Sequence, residues 1–127
     1  MIIGNGVDII EIKRINKVLG RYGDRYLERL LTPAEQEQWR QRGSRLETLA
    51  GYWAAKEAVA KALGSGFRGF GLQDIQVTHD PLGRPLVVLS GEAQTLAVQA
   101  GITHIWLSIS HSLEYAVATA IAEGRTS

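Results

Sequence analysis

The chain of 127 residues has no cysteine, so neither a disulfide framework nor a thiolate zinc site is open to it. That absence favours a cytosolic setting. Long hydrophobic runs are missing too. The apolar stretches are short and interrupted, and none resembles a signal peptide or a membrane span. Neither sign of charge dominates: 14 basic and 13 acidic residues leave a net of +1, which by itself points to no class of partner. No internal repeat or low-complexity segment is present. What is there is an ordinary 45% of apolar residues, enough for the core of one domain spanning 1–127.

The chain is organised around Leu49–Gly64, an alanine-rich stretch without proline, with Gly64 placed to cap it in a left-handed conformation. At helical spacing Leu49, Tyr52, Trp53, Val59, Ala60 and Leu63 share one face, and Ala54, Ala55, Ala58 and Ala62 share the other. Such a helix is expected to be buried, with something packed closely on its alanines. Three charges interrupt it. Lys56 falls in the large apolar arc, while Glu57 and Lys61 stand one turn apart on the shoulder between the faces. Charges are costly to bury unless paired, metal-bound or facing a ligand. Either this is a surface helix with one Glu–Lys pair, or it carries a site.

Residues 1–10 are rich in β-branched side chains and read as a strand. Alternation sets Ile3, Val7 and Ile9 against Gly4, Gly6 and Asp8. Asp8, beside glycines that leave open space, either reaches into a cavity or caps the next helix. From Glu11 the period becomes helical, with Ile12, Ile15, Val18 and Leu19 on one face and Gly20 as the expected stop. Residues 13–29 hold six basic side chains (Lys13, Arg14, Lys17, Arg21, Arg25, Arg29) against Asp24 and Glu28, whereas the rest of the chain holds eight basic and eleven acidic. That local excess is either a solvated helix face or a surface for an acidic partner. Thr32-Pro33-Ala34-Glu35 is a strong helix start with the elements of a capping box, and this helix is expected to run to about Gly43.

Beyond Gly64, four glycines in eight residues (64, 66, 69 and 71) fit a flexible connector or a turn that approaches an anion closely. No Gly-Lys-Ser/Thr follows, so it is not a Walker motif. Ile75–His79 and Leu86–Leu89 read as strands joined by a turn at Asp80-Pro81-Leu82-Gly83, and Glu92–Ala100 as a short helix stopped by Gly101. Two strands fill 102–122, broken at His111-Ser112. A histidine at that strand end is either a phosphate contact or an exposed turn residue. The whole predicts an α+β domain, a small antiparallel sheet with helices packed on one face.

Three separate stretches resemble one family in its order and spacing: Gly4-Asn5-Gly6-Val7-Asp8-Ile9-Ile10-Glu11-Ile12 with Arg14-Ile15; Trp53-Ala54-Ala55-Lys56-Glu57-Ala58 with Lys61-Ala62-Leu63-Gly64; and Ser108-Ile109-Ser110-His111-Ser112 followed by Ala116. The chain is identified as a member of the holo-acyl-carrier-protein synthases, the small bacterial type of 4′-phosphopantetheinyl transferase. The resemblance implies transfer of phosphopantetheine from coenzyme A to a serine of an apo-acyl carrier protein, with release of adenosine 3′,5′-bisphosphate. It implies that Asp8 and Glu57 hold Mg²⁺ on the pyrophosphate and that Lys61 neutralises phosphate charge. Gly64, His111 and Ser112 match positions near the nucleotide, and Lys56 an ordering role. The family is typically a homotrimer with sites between subunits, which would account for the alanine face and the Gly-rich loop. Arg14, Arg21 and Arg25 resemble the surface that grips an acidic helix of the carrier.

One position departs from the family: Tyr52 stands where many members have an arginine that meets nucleotide phosphates. Arg45, Arg68 or a neighbouring subunit could supply that charge. Two other readings stand beside the transferase. A non-catalytic nucleic-acid-binding module would use the basic segment but leaves Asp8 and Glu57 unexplained. A Mg²⁺-dependent nucleotide hydrolase would use the carboxylates and leave the basic segment idle. Neither nucleic acid nor a membrane is the expected partner.

Overall fold

Ala116, Ala118, Ala120 and Ala122 recur at every second position of the last strand, and all four are buried. In the computed structural model, which describes residues 1–64, 66 and 69–125, this strand (β5, Tyr115–Gly124) is the centre of a three-stranded antiparallel sheet. It lies between β1 (Ile2–Glu11) and β4 (Ile102–His111). The register sets Gly6 and Leu107 beside Ala120, and Asp8 and Ile109 beside Ala118. With so little side-chain volume on this face, helix α4 (Leu46–Ala62) can lie close against all three strands.

The glycines of β1 complete that contact. A Cβ on Gly4 would sit 2.1 Å from the carbonyl oxygen of Ala62, and one on Gly6 would sit 2.1 Å from that of Ala58. The expectation that Gly4 and Gly6 leave open space beside Asp8 is therefore corrected, because the backbone of α4 fills it. The prediction that something packs closely on the helix's alanines is met by the chain's own sheet. Helix α1 (Ile12–Tyr22) and strand β2 (Ile75–His79) lie against other parts of the same helix.

Helix α1 (Ile12–Tyr22) presents Ile12 and Ile15 to the core and runs past Gly20, the expected stop. The reversal falls instead on Gly23, at φ 57°, whose N–H returns to the carbonyl of Leu19 at 2.7 Å. A separate short helix, α2 (Asp24–Leu30), follows. Helix α3 (Pro33–Gln41) has the capping box its sequence predicts. The Glu35 amide donates to Thr32 Oγ1 at 3.2 Å and the Thr32 amide to Glu35 Oε1 at 2.8 Å.

The strands in the second half form where expected, but not all in one sheet. β2 (Ile75–His79) and β3 (Pro85–Leu89) make a hairpin of their own. Its turn is held by Asp80, whose Oδ1 accepts from the amides of Leu82 and Arg84 at 2.9 Å each. Helix α5 (Gly91–Gln99) packs on β4 and on a 3-10 turn at Leu72–Asp74. Among the described residues no helix is long and apolar enough to cross a membrane.

Candidate active site

The contact between α4 and β1 brings Asp8, Glu57 and Lys61 together. Pairing with Ala118 turns Asp8 to the helix side of the sheet. Lys61 Nζ donates to the carbonyl of Val7 at 2.8 Å and to Asp8 Oδ1 at 3.3 Å. The other oxygen, Asp8 Oδ2, is buried and has no hydrogen-bond partner. Burial first, and then the nearby Asp8 carboxylate, push the Glu57 carboxyl above its ordinary range, while Lys61 acts in the opposite direction. Two facing carboxylates, one with an unsatisfied oxygen, make up the donor set of a hard divalent cation that takes its remaining ligands from substrate and water. Among the described residues no third histidine, aspartate or glutamate joins them.

Lys56, the neighbour of Glu57, faces the other way and is fully buried. Its Nζ donates to Glu35 Oε1 at 2.7 Å and to the carbonyls of Leu30 and Leu72 at 2.7 and 2.9 Å. Glu35 Oε2 accepts from the Val77 amide at 2.7 Å. All three protons of the ammonium are thus used, and one ion pair ties together α2, α3, α4, β2 and the turn at Leu72. Burial lowers the pKa of Lys56 and Glu35 opposes the shift. This is the physical form of the ordering role expected of Lys56. Glu35, however, was legible only as a capping residue.

Glu57 opens onto a groove of about 500 Å³ walled by Glu28, Arg29, Trp53, Leu72 and Gln73. Arg29, Trp53 and Leu72 also wall a second groove of about 520 Å³, which continues to Val18, Tyr22, Arg25 and Tyr26 on α1 and α2. The basic segment and Glu57 are therefore joined by one surface path. Gln73 fixes its middle, with Nε2 donating to the carbonyls of Glu28 and Leu31 at 2.6 and 2.7 Å. Arg14, Arg21 and Arg25 are all exposed. Arg14 and Arg21 share one face of α1 two turns apart, and Arg25 belongs to α2 rather than to an extension of α1.

Gly64 follows the end of α4 at φ 88° and is exposed. Of the glycine-rich segment, residues 65, 67 and 68 lie outside the described residues, Arg68 with them. His111 is not brought to the carboxylates within one chain. It lines a different cavity, of about 210 Å³, with Arg42, Tyr52 and His79. Ser112 Oγ accepts from the amides of Glu114 and Tyr115 at 3.3 and 3.2 Å, so it shapes the β4–β5 turn. Tyr52 donates its hydroxyl to Gln38 Oε1 at 2.5 Å, and Arg45 pairs with Glu47 at 3.0 Å.

A family model described as the 4′-phosphopantetheinyl transferase superfamily matches residues 4–120. The chain belongs to that superfamily. It is 48% identical over 124 residues to the holo-[acyl-carrier-protein] synthase of Desulforudis audaxviator, covering 98% of this chain and 95% of that protein. Among solved structures, the holo-[acyl-carrier-protein] synthase of Neisseria meningitidis superposes with a TM-score of 0.91 at 36% identity, over 97% of this chain and 99% of that one. The Bacillus anthracis synthase in complex with CoA (3′,5′-ADP) superposes with a TM-score of 0.79 at 42% identity, over 98% and 99% of the two chains. The superfamily therefore covers both the α4–β1 contact and the sheet on which the candidate site is built.

Proposed function

We infer that this protein is a holo-[acyl-carrier-protein] synthase, transferring 4′-phosphopantetheine from coenzyme A to a serine hydroxyl of an apo-acyl carrier protein. The relatives carry that name, and one of them is a complex with CoA. The observation that carries the reading to this chain is the path from Glu57 through Trp53 and Leu72 to Arg25. A carrier held on the basic helices can present its serine along that path to the carboxylates.

Asp8 and Glu57 would hold Mg²⁺, which supplies charge neutralisation and orientation of the substrate's phosphate oxygens. Lys61, already anchored on Val7 and Asp8, faces the same space and offsets negative charge as the phosphorus–oxygen bond to the departing nucleotide breaks. Gly64 leaves the chain free of side-chain bulk where α4 ends beside this space. The attacking oxygen comes from the carrier, so no serine of this chain needs to be a nucleophile. Arg14, Arg21 and Arg25 provide the docking charge. A cytoplasmic setting, expected from the cysteine-free composition, belongs to the same reading.

The active unit in this reading is a homotrimer with coenzyme A bound across a subunit boundary. Two packed faces on α4 predict a covering partner, but the alanine face is covered by its own chain. The support lies instead on the opposite side of the sheet. There Val7, Ile9, Trp106, Tyr115 and Ile121 are 40–62% exposed on neighbouring strands. Exposed apolar side chains gathered on one face, with Asn5, Ser108 and Thr119 among them, favour an interface.

Incubating the protein with coenzyme A, Mg²⁺ and an apo-acyl carrier protein, then weighing the carrier, tests the function. A carrier heavier by one phosphopantetheine supports the transferase. Free adenosine nucleotide with an unmodified carrier would support the hydrolase, and no change at all with tight nucleic-acid binding would support the non-catalytic module.

A further inference from the structure

Helix α2 carries Arg25 and Arg29 to the grooves beside Glu57, yet it has only seven residues and no side-chain cap at Gly23. A helix that short does not hold itself in water. Its C-terminal end is also denied the usual donors. The Leu31 amide returns to Leu27 at 2.9 Å, which leaves the carbonyls of Glu28, Arg29 and Leu30 to find partners elsewhere. The next two residues cannot help, because the Thr32 amide is committed to Glu35 and Pro33 has none.

Two side chains from distant segments fill that gap. Lys56 donates to the Leu30 carbonyl at 2.7 Å. Gln73 Nε2 stands 2.6 Å from the Glu28 carbonyl, 2.7 Å from that of Leu31 and 3.4 Å from that of Arg29. A side-chain amide has two protons, and Glu28 and Leu31 take them. Gln73 is itself fixed from both sides. The Leu72 carbonyl accepts from Lys56 at 2.9 Å, and the Asp74 carbonyl from the Ser90 amide at 2.9 Å. Lys56 belongs to the buried pair with Glu35, but Gln73 is exposed, so its removal empties nothing in the core.

Arg29, whose carbonyl lies between the two that Gln73 holds, walls both grooves together with Trp53 and Leu72. We propose that Gln73 is a positioning residue for the carrier protein: by holding the last turn of α2 it sets Arg29 at the junction of the docking groove and the Glu57 groove. This assignment rests on the transferase reading. The Gln73 amide is spent on α2, so it acts through that helix and not on the substrate.

Carrier kinetics of wild type, Gln73→Ala and Gln73→Met test this, since both variants remove the donors without adding charge. Each should raise the KM for carrier protein about 3- to 10-fold, the scale of one neutral hydrogen bond. The kcat at saturating carrier and the KM for coenzyme A should stay nearly unchanged. A general loss of stability would lower the active fraction and leave both KM values alone. Because Gln73 acts through Arg29, the losses of Gln73→Ala and Arg29→Ala should fall short of additive in the double variant, whereas those of Gln73→Ala and Arg14→Ala should add.

A second arm needs no turnover. The amides of α2 should exchange with deuterium faster in both variants than in wild type, while those of α4 keep their protection. Gln73→Lys, which returns a donor to the carbonyls, should recover part of the protection. An unchanged carrier KM in both variants overturns the assignment, as do additive losses with Arg29→Ala or an equal rise in the KM for coenzyme A. Unchanged exchange in α2 overturns it too. Failure of the wild type to modify any carrier would instead overturn the transferase reading, with the exchange arm still deciding whether Gln73 holds α2.

Discussion

Gly6 lies directly beneath the carbonyl of Ala58, so that a Cβ there would come within 2.1 Å of the oxygen and 2.8 Å of Lys61 Cβ. Strand and helix touch backbone to backbone at this point, two residues from Asp8 and one from Glu57. Gly6→Ala must push α4 away from β1 and separate the two carboxylates. It should destabilise the fold by roughly 1–3 kcal/mol or more and reduce turnover beyond what the unfolded fraction accounts for. Gly20→Ala, at an exposed helical position with nothing within 4 Å, is the control and should be neutral or stabilising. Denaturant melts of both variants check this, and a fully stable, fully active Gly6→Ala would contradict the packing described.

The same contact shows where sequence reasoning reached its limit. Helix α4, strands β1, β2, β4 and β5, and the Thr32–Glu35 box were legible because local periodicity and capping chemistry specify them. Asp8, Glu57 and Lys61 were legible as charges in apolar surroundings. The glycines beside Asp8 read locally as open space, because their purpose depends on a helix more than fifty residues away. Gly20 reads as a helix stop because a glycine after a periodic run has that meaning locally. Only the backbone shows that the positive φ belongs to Gly23. His79 and Arg42 gave no signal, since the cavity that joins them is built from four distant segments.

The Lys56–Glu35 pair makes a sharp prediction about stability. Lys56→Met leaves Glu35 buried with an uncompensated charge and takes one donor each from the carbonyls of Leu30 and Leu72, which costs roughly 3–5 kcal/mol. Adding Glu35→Gln removes the stranded charge and should restore part of that loss, because the amide oxygen can still accept from Thr32 or Val77. Urea titrations of the two single variants and the double variant measure the coupling. Additive losses would show that the two side chains act independently.

Burial, and then the Arg42 guanidinium, hold the pKa of His79 below its ordinary 6.5, while Asp80 raises it. The folded state thus binds fewer protons at His79 than the unfolded state does. This group's contribution is intact above about 6.5 and is lost as pH falls from there through the folded value. NMR titration of the imidazole should show Arg42→Ala moving the His79 midpoint up. A midpoint that does not move would place Arg42 away from the ring.

The basic segment predicts a kinetic split. Arg14→Glu with Arg25→Glu should raise the KM for carrier protein strongly and leave that for coenzyme A nearly unchanged. Wild-type activity should also weaken more than that of the double variant between low and physiological salt, because less attraction is left to screen. Carrier kinetics that ignore both the charge reversal and the salt would remove this surface from the docking site.

The most direct test of the account is the rate of carrier modification, followed by intact mass, for Asp8→Asn and Glu57→Gln beside wild type at saturating coenzyme A and Mg²⁺. Both variants are expected to fold, and each should lose on the order of 10²–10³ in turnover. Near-wild-type rates in both folded variants would contradict the assignment of Asp8 and Glu57 as the centre of the site.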